Sequence, residues 1–283
     1  METKAYLHIL RNKVLFNWLP VVRPLAYLPY RINEQPVIVL GNQKAGTSAI
    51  AALLARATGR SYDIDIGGFR NREYAALHAG TRSLRALIEA RARIEFSKGV
   101  VKEPNLTFLA DQLVAAFPEA RFVFIVRDPR ANIRSTLNRL QVPGNLPRIN
   151  PQDYPQLSPI WRSILYNEWV SDASEPLHYI GRSATRWRVA AQHYFDHEDR
   201  MALIRYEDFN RDKQAAIERL AQRLDLPVTH DISDRVDIRF QPKGNNRSTF
   251  VDFFGPENLA LIERTCTPLM QKFDYQPESL ATR

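Results

Sequence analysis

The chain has 283 residues, 45% of them hydrophobic, and a formal net charge of +8. That is enough apolar material for one α/β domain or two small ones, with a surface suited to an anionic partner. A single cysteine, Cys266, excludes an intrachain disulfide and a cysteine-rich metal site and fits a reducing compartment, the cytoplasm. No basic run and no zinc, RRM-like or KH-like signature accompanies the charge, which argues against nucleic acid and for a polyanionic nucleotide.

Residues 1–35 scatter Lys4, Arg11, Lys13, Arg23 and Arg31 among Leu, Val, Trp and Tyr. The apolar stretch from Val14 to Tyr30 is broken by Pro20, Arg23, Pro24 and Pro29, so it lacks the ~20 largely uncharged residues of a membrane span. No small-residue cleavage site follows it. An arm packed on the domain is expected, with a peripheral membrane contact or acceptor docking as the alternatives.

Val37 to Leu40 read as a short strand buried on both faces, broken by Gly41. Ile50, Leu53, Leu54 and Ala57 then mark the apolar stripe of a helix ending near Gly59. Strand, glycine loop and helix N-terminus together form a phosphate cradle, with loop amides and the helix dipole aimed at one place. Gly41 and Gly46 have the spacing of a nucleotide-triphosphate loop. Thr47, however, stands where that loop carries lysine, and the cation has moved to Lys44 on the loop's crest. The run Lys44-Ala45-Gly46-Thr47-Ser48 resembles the 5′-phosphosulfate loop of sulfotransferases that use 3′-phosphoadenosine 5′-phosphosulfate (PAPS).

In the next segment Tyr62, Ile64 and Ile66 alternate with Asp63 and Asp65, which predicts a strand with both carboxylates on one face. These acids read either as a solvated edge or as groups facing a cleft. Arg82 to Phe96 reads as a charged helix with Leu84, Leu87 and Ile88 on its apolar side. Gly99 to Lys102 is a brief buried strand ended by Glu103-Pro104, and Asn105 is placed to cap the helix of Leu106, Leu109, Leu113 and Phe117. The Lys102-Glu103-Pro104 turn resembles the family's second basic element, whose lysine reaches the sulfuryl group.

Phe122 to Val126 form a further buried strand, followed by Arg127-Asp128-Pro129, with Ile133, Leu137 and Leu140 facing the core. Arg127 and Ser135 resemble the family's 3′-phosphate site. A magnesium-binding reading of Asp128 is poor, because Arg127 and Pro129 flank it. Residues 141–163 hold Pro143, Pro147, Pro151, Pro155 and Pro159, which predicts a long loop without regular structure on the acceptor side. Trp161, Tyr166 and Trp169 are stacking surfaces for a sugar or else core aromatics. Arg186-Trp187 opens the stripe of Ala190, Ala191, Tyr194 and Phe195. Met201 to Ile204 predict a last strand, followed by Arg205-Tyr206-Glu207-Asp208, which resembles a structural element of the family. Residues 241–250, with Lys243 and Gly244, resemble the loop that closes over the 3′-phosphate and adenine.

This order of elements predicts a three-layer α/β sandwich of P-loop-like form. About five mainly parallel strands carry helices on both faces, and the ligand lies at the strands' C-terminal ends. The resemblance implies one sulfotransferase-like domain over 1–283 that moves a sulfuryl group from PAPS to a hydroxyl or amine of a carbohydrate, glycolipid or small molecule, with no metal. Lys44 stabilises the leaving group, Lys44 to Ser48 hold the 5′-phosphate, and Arg127, Ser135, Lys243 and Gly244 hold the 3′ side. The histidine of the cytosolic small-molecule enzymes is absent after Lys102, which points to the carbohydrate- and tyrosyl-modifying branches and related bacterial enzymes. In those branches a carboxylate is the base, with Asp65 first, then Asp63 and Glu103. The alternatives are a nucleotide-dependent kinase, which needs magnesium and a lysine after Gly46, and a non-catalytic basic nucleic-acid or membrane-binding module.

Overall fold

A computed structural model describes residues 27–169, 178–237 and 248–277. The strands are β1 (Val37–Gly41), β2 (Tyr62–Ile64), β3 (Val100–Lys102), β4 (Arg121–Val126) and β5 (Met201–Arg205). All neighbours pair in parallel, in the order β2-β3-β1-β4-β5. Every residue of β1 is buried, as a central parallel strand covered on both faces requires.

The helices are α1 (Thr47–Ala57), α2 (Asn71–His78), α3 (Leu84–Arg91), α4 (Ala110–Ala116), α5 (Pro129–Leu140), α6 (Pro159–Leu165), α7 (Tyr179–Asp196), α8 (Tyr206–Arg211), α9 (Lys213–Arg223) and α10 (Phe250–Met270). They divide between the two faces of the sheet. Ile38 and Leu40 point into the larger core with Leu113, Leu137, Trp187 and Ile262. Val37 and Val39 point into the smaller core with Ile50, Leu54, Ile217 and Leu220. The expected three-layer sandwich of five parallel strands is what forms.

Several local expectations need correction. β2 stops at Ile64, Tyr62 is exposed and Asp63 is buried, so the two acids do not share an outward face. Asp65 lies beyond the strand in left-handed backbone, with φ 72°. The single helix expected over 82–96 is the shorter α3 followed by a 3₁₀ turn, Glu95–Ser97. Helix α2 had no sequence signal, since its buried apolar residues are only Tyr74 and Leu77. Asn105 caps nothing. Instead Glu103 accepts from the Asn105 amide (3.0 Å) and opens a 3₁₀ segment, Pro104–Leu109, ahead of α4.

The proline-rich stretch 141–163 also departs from its reading, because it holds a 3₁₀ turn (Pro151–Asp153) and the start of α6. Pro151 and Pro159 sit in the first turns, where a missing N–H costs nothing. This stretch is staked down at Leu146, whose carbonyl accepts from Tyr179 Oη (3.2 Å) and Asn258 Nδ2 (3.0 Å). Trp161 and Tyr166 pack on the larger core.

Most of the N-terminal arm lies outside the described residues. Its last part packs beside the 3₁₀ turn, where the Asn33 amide donates to the Phe96 carbonyl (2.8 Å).

Candidate active site

The chain leaves β1 toward the β2 edge and leaves β4 toward β5 at the opposite edge, so the connections diverge between the neighbouring strands β1 and β4. Ligands of open parallel sheets lie just beyond such a point, at the strands' carboxyl ends. The loop after β1 and the turn after β4 meet there.

The loop needs glycine at both ends. Gly41 has φ 132°, and a Cβ on it would stand 2.5 Å from the Ile125 carbonyl oxygen. Gly46 has φ 93°, and a Cβ there would stand 2.4 Å from Cδ2 of Tyr206. Between them Lys44 takes left-handed backbone, φ 66°. Gly46 is the N-cap of α1 and no side chain caps that helix end, so its first-turn amides meet whatever occupies the loop. Ala45 and Thr47 are buried, Ser48 half-buried. Burial, then the charges of Arg139 and Arg127, push the Lys44 ammonium down to about 8.

Arg127 closes the loop from the β4 side. Its Nη1 donates to the Lys44 carbonyl (2.9 Å), and its guanidinium lies 4.5 Å from the centre of the Tyr206 ring. Its Nε is buried and, among the described residues, has no hydrogen-bond partner. A capless helix end beside a lysine and an arginine with an unused donor suits an anion. Ser135 is half-buried two turns into α5, the same helix that lies beside Arg127. Lys243 and Gly244 lie outside the described residues.

Asp128 is structural. It accepts from the amides of Arg130 (2.8 Å) and Ala131 (3.2 Å) at the start of α5 and pairs with the Arg130 guanidinium (2.6 Å). The element after β5 is structural too. Glu207 accepts from the Asp128 amide (3.1 Å) and from the Tyr275 hydroxyl (2.6 Å).

On the other side of the loop, Lys102 is buried at the end of β3 and its ammonium pairs with Asp65, whose carboxylate is 70% exposed. Glu103 accepts from the amides of Ile66 (3.0 Å) and Asn105 (3.0 Å), and burial, then the Asp65 charge, pushes its carboxyl up. Asp63 is buried instead near Glu95. Glu95 accepts from the Gly67 amide (3.3 Å), and burial raises it to about 7.

Sequence reasoning missed a polar cluster beneath the loop. Asn132 Nδ2 donates to the Gln43 carbonyl (2.8 Å), and Gln43 Nε2 donates to Asn105 Oδ1 (2.6 Å). Arg186 donates to both side chains, and Trp187 Nε1 donates to the Arg127 carbonyl (2.8 Å). The one signal for it was an arginine within the apolar stripe of α7.

Fold and site together define an α/β domain of P-loop-like form, with Lys44 on the crest of the glycine loop after β1. The chain belongs to the sulfotransferase family, whose model matches residues 68–231, more than half of its length. That match begins beyond the phosphate loop and includes Lys102, Arg127 and Ser135. Among solved structures the chain is similar to a sulfotransferase from Alicyclobacillus acidocaldarius (15% identity, TM-score 0.51, covering 87% of this chain and 98% of that one). It is also similar to sulfotransferase STF9 from Mycobacterium avium (15%, 0.51, 90% and 80%). A third is mouse sulfotransferase SULT7A1 complexed with PAP (12%, 0.52, 90% and 91%). At these identities the likeness speaks for the fold. No curated protein matches the chain in sequence. Among the described residues no helix is long and apolar enough to cross a membrane.

Proposed function

We propose that this chain transfers a sulfuryl group from PAPS to a hydroxyl or amine of an acceptor, a carbohydrate, glycolipid or small molecule, as a single domain working in the cytoplasm without a metal ion. The observation that carries the reading is the cradle itself. Thr47 fills the position of a nucleotide-triphosphate lysine, while Lys44 stands on the crest with Arg127 bound to its carbonyl.

When bound, PAPS supplies the reactive sulfur, whose bond to the bridging phosphate oxygen breaks as the acceptor oxygen or nitrogen bonds to it. The chain's residues serve that exchange. The amides of residues 46–48 with Thr47 and Ser48 hold the 5′-phosphate. Lys44 meets the negative charge that gathers on the bridging oxygen. Arg127, with Ser135, holds the 3′-phosphate, and Lys243 and Gly244 are assigned to the same cofactor by the family resemblance. Asp65 takes the acceptor's proton, and Lys102, paired with it, holds its carboxylate in place.

Two measurements test this. A thermal-shift screen of adenine nucleotides is expected to select adenosine 3′,5′-bisphosphate (PAP) over ADP and ATP. Labelled PAPS is then expected to mark a hydroxyl-bearing acceptor from a pool, with chelator present. Equal shifts by ADP and PAP, or transfer that stops with chelator and returns with magnesium, would sink the reading.

A further inference from the structure

Arg186 sits in the middle of α7, 2% exposed. Its guanidinium lies 3.8 Å from the centre of the Phe108 ring. It donates from Nη2 to Gln43 Oε1 (3.1 Å) and Asn105 Oδ1 (3.0 Å), from Nε to Gln43 Oε1 (3.3 Å) and from Nη1 to Asn167 Oδ1 (3.3 Å). Among the described residues all of these bonds end on side-chain amide oxygens. None ends on a carboxylate.

A fully desolvated guanidinium without a carboxylate in contact is costly. Burial pushes this one down to about 9, against the opposing pull of Glu103 and Tyr74. An arginine kept for packing alone would be replaced at lower cost by a hydrophobic side chain of similar volume. What the guanidinium does here that an apolar group cannot is join three separate elements through one rigid plane.

Those elements are the ones on which the candidate site stands. Gln43 immediately precedes Lys44. Asn105 belongs to the turn after β3, where its amide donates to Glu103, the residue next to Lys102. Asn167 lies in the turn after α6, at φ 51° and wholly buried. Arginine can only donate, so it fixes which way the Gln43 and Asn105 amides face. Gln43 Nε2 is thereby turned toward Asn105, closing the triangle at 2.6 Å. The next residue, Trp187, ties the same helix to the Arg127 carbonyl.

We infer that Arg186 is a positioning residue that holds the phosphate loop in register with the end of β3, keeping Lys44 opposite the Lys102–Asp65 pair. The inference rests on the sulfuryl-transfer reading for what the loop binds, though not for how the loop is held. α7 carries the clamp because two consecutive residues, Arg186 and Trp187, donate to the loops on either side of the point where the connections of β1 and β4 diverge.

The test combines PAP titration with amide hydrogen exchange of the loop, in the full chain well below its melting temperature. Arg186→Met and Gln43→Leu are each expected to weaken PAP binding about tenfold or more, as loss of hydrogen bonds to a charged group does. Each is also expected to speed exchange across residues 42–48. The double variant should lose little more than either single one, because both break the same joint. Arg186→Lys should restore neither readout, since an ammonium cannot span three acceptors.

If Arg186→Met does not fold, Gln43→Leu decides by the same two readouts. Folded variants with PAP affinity and loop exchange like the parent's overturn the proposal, as does full rescue by Arg186→Lys. A parent that binds ADP as well as PAP would defeat the sulfuryl-transfer reading instead, and loop exchange in the variants would still decide whether Arg186 holds the loop.

Discussion

The ring of Tyr206 rests against the bare Cα of Gly46, so close that a Cβ there would meet its Cδ2 at 2.4 Å. The same ring carries the Arg127 guanidinium 4.5 Å from its centre. One side chain from the start of α8, just past β5, thus sets both the height of the glycine loop and the place of its neighbouring cation. Gly46→Ala meets two obstacles, the ring and a backbone φ of 93° that L side chains rarely adopt. The expected result is a folded protein that no longer binds PAP. Tyr206→Ala in the Gly46→Ala background should recover part of the binding by removing the collision, which titration calorimetry would read.

Arg127 should carry the discrimination between nucleotides. Its charge-assisted bond to a 3′-phosphate is of the kind that contributes about 1.5–3 kcal/mol. Arg127→Ala is therefore expected to bind PAP about tenfold or more weakly while its affinity for ADP changes much less. A variant that still separates PAP from ADP as the parent does would remove Arg127 from the 3′ side.

On the sulfuryl-transfer reading, Lys44 should give the reaction an alkaline limit. Its ammonium, held down to about 8, loses its proton as pH rises through that value, and the leaving group then lacks its cation. Turnover of labelled PAPS should fall above about pH 8. Lys44→Arg should extend activity upward, because a guanidinium stays charged. Lys44→Ala should lose more in turnover than in PAP affinity. A pH–rate profile unchanged in Lys44→Arg would assign the limb to another group.

Glu95 makes stability fall with rising pH. Raised from 4.5 to about 7 by burial, it keeps its proton in the folded chain where the unfolded chain has lost it. Its contribution is full below about 4.5, declines as pH rises toward 7 and is gone above that. His78, pushed down to about 4 by burial, acts in the opposite sense, costing stability as pH falls from about 6.5 toward 4. The difference between the parent and Glu95→Gln cancels His78. The variant should match the parent near pH 5 and melt higher near pH 8, by about 2–4 °C for each kcal/mol relieved. Equal melting temperatures at both pH values would mean that Glu95 ionises normally.

Asp65 is the first choice for the base, and Asp65→Asn should cost about 10²–10⁴ in turnover with PAP binding intact. Transfer at the parental rate would move the role to Glu103, whose buried carboxyl already holds two amides.

The β1 strand, its glycine loop and α1 were legible because they depend on short-range rules: four apolar residues, glycines at two obligatory positions and an apolar helical stripe. The position of Arg127 was legible for the same reason, just beyond the end of an unmistakable strand, while its role comes from the family resemblance alone. Asp65 was placed on the wrong backbone. Alternation of Tyr62, Ile64 and Ile66 suggested a longer strand, but β2 is a sheet edge and pairing ends where β3 ends, at Lys102. Arg186 was illegible as a site residue, since its partners come from residues 43, 105 and 167 and only the folded sheet brings them together. The proline-rich stretch misled because Pro151 and Pro159 stand at helix starts, where proline is at home.

The central position of β1 also shapes how the chain folds. β1 is the first strand among the described residues, yet both of its partners, Val100–Lys102 and Arg121–Val126, lie far downstream. Its apolar run Val37–Leu40 is therefore without a sheet while much of the chain is still being synthesised or searching for its pairing, and high contact order of this kind slows folding. During that interval the segment is a sticky, strand-prone surface. Yield on expression should depend on temperature and chaperone supply more than the stability of the finished domain would suggest, and lower synthesis temperatures should favour recovery of native protein.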